Sequence, residues 1–180
     1  MVVFVVEGKT DIEFFRDFIE ELDIQKDRYA FKNFEGKDNI FKLNHKLYNE
    51  IEGELDIVDK IFIAVDADDP KDRSPIRGYI KTQKRLEKLI DDLDFDIAID
   101  YFIFSDQEKE KGYLESFLLS VLDDEQQKCI EKFKECYKYD LKDKWIFNEF
   151  YKQKQYPFDY SHPNFDELKQ KLKNLFEGQL

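Results

Sequence analysis

Three carboxylates stand at the ends of two apolar runs in this sequence. Glu7 follows the run at 2–6, and Asp66 and Asp68 follow the run at 61–65. A carboxylate at the end of a buried strand has a high desolvation cost unless a cation meets it. Oxygen ligands with no Cys or His nearby select Mg²⁺, or Mn²⁺, over zinc. The residue types and the D-x-D spacing therefore predict a magnesium site shared by these three acids.

Short strands separated by helices are predicted to bring these acids together. The apolar runs are continuous and rich in β-branched residues, which is typical of parallel strands covered on both faces. Apolar residues at steps of three and four follow them, which indicates helices between the strands. The predicted strands are 2–6, 29–34, 61–65 and 97–104. The predicted helices are one from Thr10 or Asp11 to about residue 22, then 38–52, 80–93 and a segment from 114. The acids converge if the first and third strands are neighbours, because ligands of such sheets collect beyond the carboxyl ends of the strands.

Beyond residue 122 the pattern changes to helices without strands. These helices are predicted at 125–139, 143–154 and 165–176. We therefore predict an α/β fold for residues 1–122, with a mostly parallel central sheet of about four strands and helices on both faces. Residues 123–180 are predicted to form a helical extension packed on the same core.

The charge of the chain limits the function classes that fit it. The 41 acidic and 29 basic residues give a net charge of -12. This charge argues against a protein that binds the phosphate backbone of nucleic acids through its overall electrostatic attraction. A nucleic-acid function must then depend on metal ions or on a local basic patch. The sequence has no 18-residue apolar stretch and no basic leader, so we expect a cytoplasmic protein without a membrane span.

The same acids and the glycine after Glu7 also fit roles that need no metal. With 41 acids in 180 residues, some fall after strands by chance and serve as helix caps or solvated charges. Gly8-Lys9-Thr10 after a strand resembles part of a phosphate-binding loop, but that loop needs a glycine where Val3 stands. A phospho-receiver domain also gathers acids at strand ends, but it has an acidic pair where this chain has Glu7 alone.

Two segments together resemble the Toprim domain of topoisomerases, bacterial primases and several small nucleases. They are Val5-Val6-Glu7-Gly8-Lys9-Thr10-Asp11 and the later Asp66-Ala67-Asp68. Gly112-Tyr113-Leu114-Glu115 is similar to the extra acidic motif of OLD-type nucleases and their small single-domain relatives. The resemblance covers about residues 1–122. It departs from the family where Pro70-Lys71-Asp72 stands, since many Toprim domains have a glycine soon after D-x-D.

The resemblance implies Mg²⁺-dependent phosphodiester chemistry, with a nuclease acting on DNA or RNA as the expected activity. Glu7 corresponds to the glutamate that is a metal ligand or general acid/base. Asp66 and Asp68 correspond to the aspartates that bind Mg²⁺. Glu115 corresponds to the acid that helps a second ion.

Candidate substrate contacts and a second function follow from the same resemblance. Lys9, Arg73 and Arg77 are candidate phosphate contacts, although each is also explained as a solvated surface cation. The alternative function is a non-catalytic, acidic Toprim-like module. Such a module would bind a protein partner or a phosphorylated ligand within a nucleic-acid or defence system.

Overall fold

Four parallel strands form the central sheet of the protein. The computed structural model describes residues 1–71, 76–106, 110–137, 141–151 and 158–177. The strands are β1 (Val2–Val6), β2 (Tyr29–Asn33), β3 (Lys60–Asp66) and β4 (Ala98–Phe104). Their order is β2-β1-β3-β4, and every neighbouring pair is parallel. Strands β1 and β3 are therefore neighbours, which is the condition that brings their terminal acids together.

Helices connect the strands and continue after them. Within the described ranges they are α1 (Lys9–Glu21), α2 (Lys37–Ile40), α3 (Lys46–Glu52), α4 (Tyr79–Leu93), α5 (Leu114–Leu119), α6 (Asp124–Cys136), α7 (Asp143–Ile146) and α8 (Asp166–Phe176). A π-helical turn at Phe147–Tyr151 continues α7. None of the helices described here is long and apolar enough to cross a membrane.

The prediction of one helix over 38–52 is wrong, because turns separate α2 from α3. The Nδ1 atom of His45 accepts a hydrogen bond from the N–H of Leu47 and begins α3 as its N-cap. Ile40 in α2 and Ile51 in α3 are both buried in the same core cluster. The apolar period therefore continues through a break in the backbone.

Helices cover both faces of the sheet, as predicted. Val2, Phe4 and Val6 of β1 belong to one core cluster, whereas Val3 and Val5 belong to the other, because side chains alternate along a strand. The first cluster includes residues of α1, α5 and α8, and the second includes residues of α3 and α4. The continuous apolar runs are thus buried on both sides, and the predicted parallel α/β fold is confirmed.

Helix α8 packs on the same sheet face as α1. Phe176 of α8 stacks on Phe4 of β1 with ring centroids 6.4 Å apart. Phe165, just before α8, contacts Phe117 of α5 in an edge-on arrangement at 5.3 Å. The C-terminal segment therefore shares the hydrophobic core of the sheet.

Candidate functional site

Four carboxylates line one cavity of about 210 Å³ at the carboxyl ends of β1 and β3. The charged residues around it are Glu7, Asp11, Asp66, Glu115 and Lys144, and we call this site the acidic cavity. Three of the four predicted acids, all except Asp68, therefore lie together in it.

Backbone hydrogen bonds hold two of these carboxylates in place. Oε1 of Glu7 accepts a bond from the N–H of Asp66 at 2.8 Å. Oδ1 of Asp66 accepts a bond from the N–H of Leu114, also at 2.8 Å. The ends of β1 and β3 and the start of α5 are thus connected through the two acids that the sequence singles out.

Gly112 explains why the loop before Glu115 can approach the sheet. Its φ is +152°, and a Cβ at this position would lie 2.6 Å from the Cα of Ser105. Its carbonyl accepts a hydrogen bond from the N–H of Asp68 at 2.8 Å. The close approach places Glu115 in the first turn of α5, where its side chain is buried.

Burial in the acidic cavity raises the pKa values of Glu7, Asp11 and Asp66. Burial raises the pKa of Glu7 to about 8, and repulsion from Asp11 adds to the effect. Burial also holds the pKa of Asp66 well above its usual range, with further repulsion from Glu7, Asp11 and Glu115. The carboxylates therefore repel one another in a desolvated place, which favours either protonation or a bound cation.

Asp11 joins this group although the sequence indicates only a helix cap. Its Oδ2 accepts a bond from the N–H of Gly8 at 2.8 Å, and its side chain is buried. Burial raises its pKa to about 6, and the Gly8 N–H bond lowers it in part. Asp11 lies four residues after Glu7, one helical turn beyond the strand end, and that spacing is the signal that could have identified it.

Asp68 lies in a second, separate group of side chains. Its Oδ2 accepts bonds from Nζ of Lys37 at 2.8 Å and from Nη1 of Arg77 at 2.7 Å. Lys37 also bonds to Oγ1 of Thr82 at 2.9 Å. We call these four residues, Lys37, Asp68, Arg77 and Thr82, the lysine clamp.

The two aspartates of D-x-D thus have different surroundings, contrary to the expectation that they share one ion. Asp68 has a φ of +60°, which turns the chain after Asp66. Asp66 lines the acidic cavity, while Asp68 is paired with two cations outside it. The role of Asp68 as a metal ligand stays a prediction.

The predicted phosphate contacts are placed differently from one another. Lys9 is exposed between Gly8 and Thr10, which line the acidic cavity. Arg77 belongs to the lysine clamp, and its buried Nε has no hydrogen-bond partner among the residues that the structure describes. Arg73 lies outside the described residues.

Two lysines near the acids are absent from the sequence prediction. Lys37 begins α2, a helix of four residues, and the sequence around it does not distinguish a buried lysine from an exposed one. Lys144 of α7 approaches Glu115, with Nζ 3.6 Å from Oε1. No local pattern marks Lys144, because only tertiary packing brings α7 to the acidic cavity.

The carboxylates of the acidic cavity are suitable ligands for a hard divalent cation, but the described side chains are not arranged as a coordination site. All four acids of the acidic cavity supply oxygen, which suits Mg²⁺ or Mn²⁺. Among the residues that the structure describes, however, no three His, Cys, Asp or Glu side chains converge closely enough to hold a metal ion. Binding therefore requires that carboxylate side chains rotate toward a common point.

Comparison with known proteins identifies a family. Residues 1–156 match the model of DUF3226, a protein family of unknown function, and the chain belongs to that family. No curated protein and no solved structure has significant similarity to the chain.

Proposed function

We propose that this member of the DUF3226 family is a Mg²⁺-dependent phosphodiester-processing protein of the Toprim class, with DNA or RNA cleavage as its activity. The observation that supports this proposal best is the acidic cavity. Its carboxylates meet at the carboxyl ends of neighbouring parallel strands, where ligands of such sheets collect. Burial raises the pKa values of Glu7 and Asp66, and strongly perturbed carboxyl groups in a cavity are typical of functional sites.

Glu7, Asp66 and Glu115 are the residues we assign to cation binding, with Asp11 beside them. A bound Mg²⁺ would supply charge stabilisation for a phosphodiester oxygen and lower the pKa of water. One carboxylate oxygen of Glu7 accepts a hydrogen bond from the N–H of Asp66. Among the described residues no donor bonds its other oxygen, so that oxygen is the one able to accept a proton or face an ion.

The substrate phosphate would meet the exposed side chain of Lys9. Its neighbours Gly8 and Thr10 line the acidic cavity, so Lys9 projects from the rim of the site. A chain with net charge -12 has little bulk attraction for nucleic acids, which leaves the cation and nearby lysines to hold the phosphate. The proposal places the protein in the cytoplasm, where both Mg²⁺ and nucleic acids are available.

Cleavage of labelled single- and double-stranded DNA and RNA in the presence of Mn²⁺ tests the proposal. We expect the wild type to cleave at least one substrate, and Glu7→Gln and Asp66→Asn to fold but lose cleavage. The matched controls are Glu13→Gln and Asp91→Asn, which make the same chemical changes at exposed positions. Equal cleavage by Asp66→Asn and Asp91→Asn would contradict the proposal.

A non-catalytic acidic module that binds a protein partner or a phosphorylated ligand is the second candidate. The observation that favours it is that no described group of three metal-binding side chains is assembled. The pairing of Asp68 with Lys37 and Arg77 also removes one expected ligand from the acidic cavity. Mn²⁺ binding without cleavage of any of the four substrates would favour this second function.

A further inference from the structure

Lys37 is a buried lysine whose ammonium group bonds to oxygen atoms of the loop after β3 and of α4. Its side chain is 3 % exposed. Nζ donates to the carbonyl oxygens of Asp66 and Ala67, to Oδ2 of Asp68 and to Oγ1 of Thr82. One side chain from α2 therefore reaches three consecutive residues at the end of β3.

A lysine in this place opposes a general tendency. A buried ammonium is costly in free energy unless it is paired and hydrogen-bonded. Lys37 meets this requirement through its four oxygen partners, so its position is tied to the geometry of residues 66–68.

The same three residues determine where the Asp66 carboxyl lies. Main-chain bonds from Ala67 to Phe104 (2.9 Å) and from Asp68 to Gly112 (2.8 Å) hold the loop from the β4 side. Lys37 holds it from the β2 side. Without Lys37, one side of the loop loses its only described attachment to α2, and the bond from the Leu114 N–H remains to hold the Asp66 carboxyl.

We propose that Lys37 is a positioning residue for the acidic cavity, and that Asp68 acts as its counter-ion rather than as a cation ligand. Among the described hydrogen bonds of Lys37, only the one to the Asp66 carbonyl reaches a charged residue of the cavity, so Lys37 acts by orienting Asp66. The effect on cation affinity rests on the proposed function, whereas the effect on the loop does not.

The direction in which Mn²⁺ affinity changes when Lys37 is replaced distinguishes a positioning role from a purely electrostatic role. Lys37 is close enough to lower the pKa of Glu7 through its charge. If it acted only as a charge, its removal would make the acidic cavity more negative and Mn²⁺ would bind more tightly. If Lys37 positions Asp66, the Lys37→Met variant binds Mn²⁺ more weakly, although its acidic cavity is more negative.

Two measurements on the full chain test the proposal. The first is Mn²⁺ titration by calorimetry, and the second is amide hydrogen exchange at Asp66, Ala67 and Asp68 without metal. For Lys37→Met we expect about tenfold weaker Mn²⁺ binding and about tenfold faster exchange at these amides. Lys32→Met is the matched control, because Lys32 is a partly buried lysine of β2 paired with Glu50 and Glu54 instead. We expect it to change neither quantity.

Two further variants keep the test decisive if Lys37→Met does not fold. Lys37→Met combined with Asp68→Asn leaves the net charge unchanged and removes the carboxylate of the lysine clamp together with its lysine, and we expect the same two losses. Thr82→Val removes a single partner and should give a smaller increase in exchange at the same amides. Unchanged exchange together with equal or tighter Mn²⁺ binding would overturn the proposal. If the wild type binds no Mn²⁺, the proposed function fails, and the exchange rates alone decide the role of Lys37.

Discussion

The acidic cavity and the lysine clamp lie at the same end of the sheet and differ in how their charges are balanced. In the lysine clamp, Asp68 is paired with Lys37 and Arg77 at 2.8 and 2.7 Å. In the acidic cavity, the lining residues that the structure describes include four carboxylates and one ammonium, that of Lys144, which is 3.6 Å from Glu115. Two aspartates only two positions apart in the chain thus lie in opposite electrostatic environments.

This difference is the reason why we propose the acidic cavity, and not the lysine clamp, as the cation site. The lysine clamp already contains the cations that its carboxylate needs, so its role is to hold the loop. The described lining of the acidic cavity has more carboxylates than cations, and burial and repulsion raise the pKa values of Glu7, Asp11 and Asp66. A divalent cation is the ligand that would relieve this repulsion without protonating the acids.

The largest expected effect comes from breaking the lysine clamp. Lys37→Met leaves Asp68 with one fewer cation and removes the bonds to Asp66, Ala67 and Thr82. We expect the free energy of unfolding to fall by about 3–5 kcal/mol, because one partner of a buried ion pair is removed. Urea unfolding of this variant and of Lys37→Met with Asp68→Asn checks this. The double variant should lose less unfolding free energy than the sum of the losses in Lys37→Met and Asp68→Asn measured separately. Strict additivity would show that Lys37 and Asp68 are not coupled.

The second-largest expected effect is on the pH dependence of the protein's folding stability, because the pKa of Glu7 is raised in the acidic cavity. The pKa of Glu7 in the folded protein is about 8 against an ordinary value of 4.5. The unfolded state loses this proton at a lower pH than the folded state, so the contribution of Glu7 to folding stability is greatest below about pH 4.5 and falls as the pH rises toward about 8. At pH 7 the loss is about 3 kcal/mol, and Glu7→Gln removes it. Denaturant unfolding of the metal-free wild type and Glu7→Gln over this range measures the difference, and parallel pH profiles would contradict it.

A smaller effect is the release of protons when a cation binds. Since the pKa values of Glu7 and Asp66 are raised, the acidic cavity holds protons at neutral pH that a cation must displace. We expect release of about one proton per Mn²⁺ bound at pH 7. Calorimetry in two buffers with different ionisation enthalpies measures this number. Identical heats in both buffers would show that the acids are already ionised.

The smallest effect is expected from Lys144. Its side chain is 69 % exposed, so its attraction to Glu115 is screened by solvent. Lys144→Gln should tighten Mn²⁺ binding by about twofold, since a weak competitor for the carboxylates is removed. Lys142→Gln, two residues earlier, is the matched control. Weaker binding in Lys144→Gln would mean that this lysine supports the site instead of competing for it.

The fold and the placement of Glu7 and Asp66 were predictable because they depend on local patterns, whereas Glu115 was expected only from the resemblance to OLD-type nucleases. β-branched apolar runs mark strands that are buried on both faces, and the acids that follow them necessarily lie at the carboxyl edge of a parallel sheet. Glu7 and Asp66 meet there as expected, since β1 and β3 are neighbours. Glu115 joins them because Gly112 allows the preceding loop to approach Ser105 closely.

The parts that were missed depend on tertiary contacts and on backbone turns. The positive φ of Asp68 directs its carboxylate away from the acidic cavity, and D-x-D spacing alone carries no information about that turn. Lys37 comes from the helix after β2, and Lys144 comes from the C-terminal segment. The break between α2 and α3 was hidden because both helices pack on the same core, which preserves the apolar period.

A calorimetric Mn²⁺ titration of the wild type, Asp66→Asn and Asp68→Asn tests most directly whether the acidic cavity is the cation site. The two variants make the same chemical change two residues apart. We predict that the wild type binds Mn²⁺, that Asp66→Asn weakens binding by about a hundredfold or more, and that Asp68→Asn weakens it by less than about tenfold. A wild type that binds no Mn²⁺, or equal losses in the two variants, would contradict the distinction between the acidic cavity and the lysine clamp.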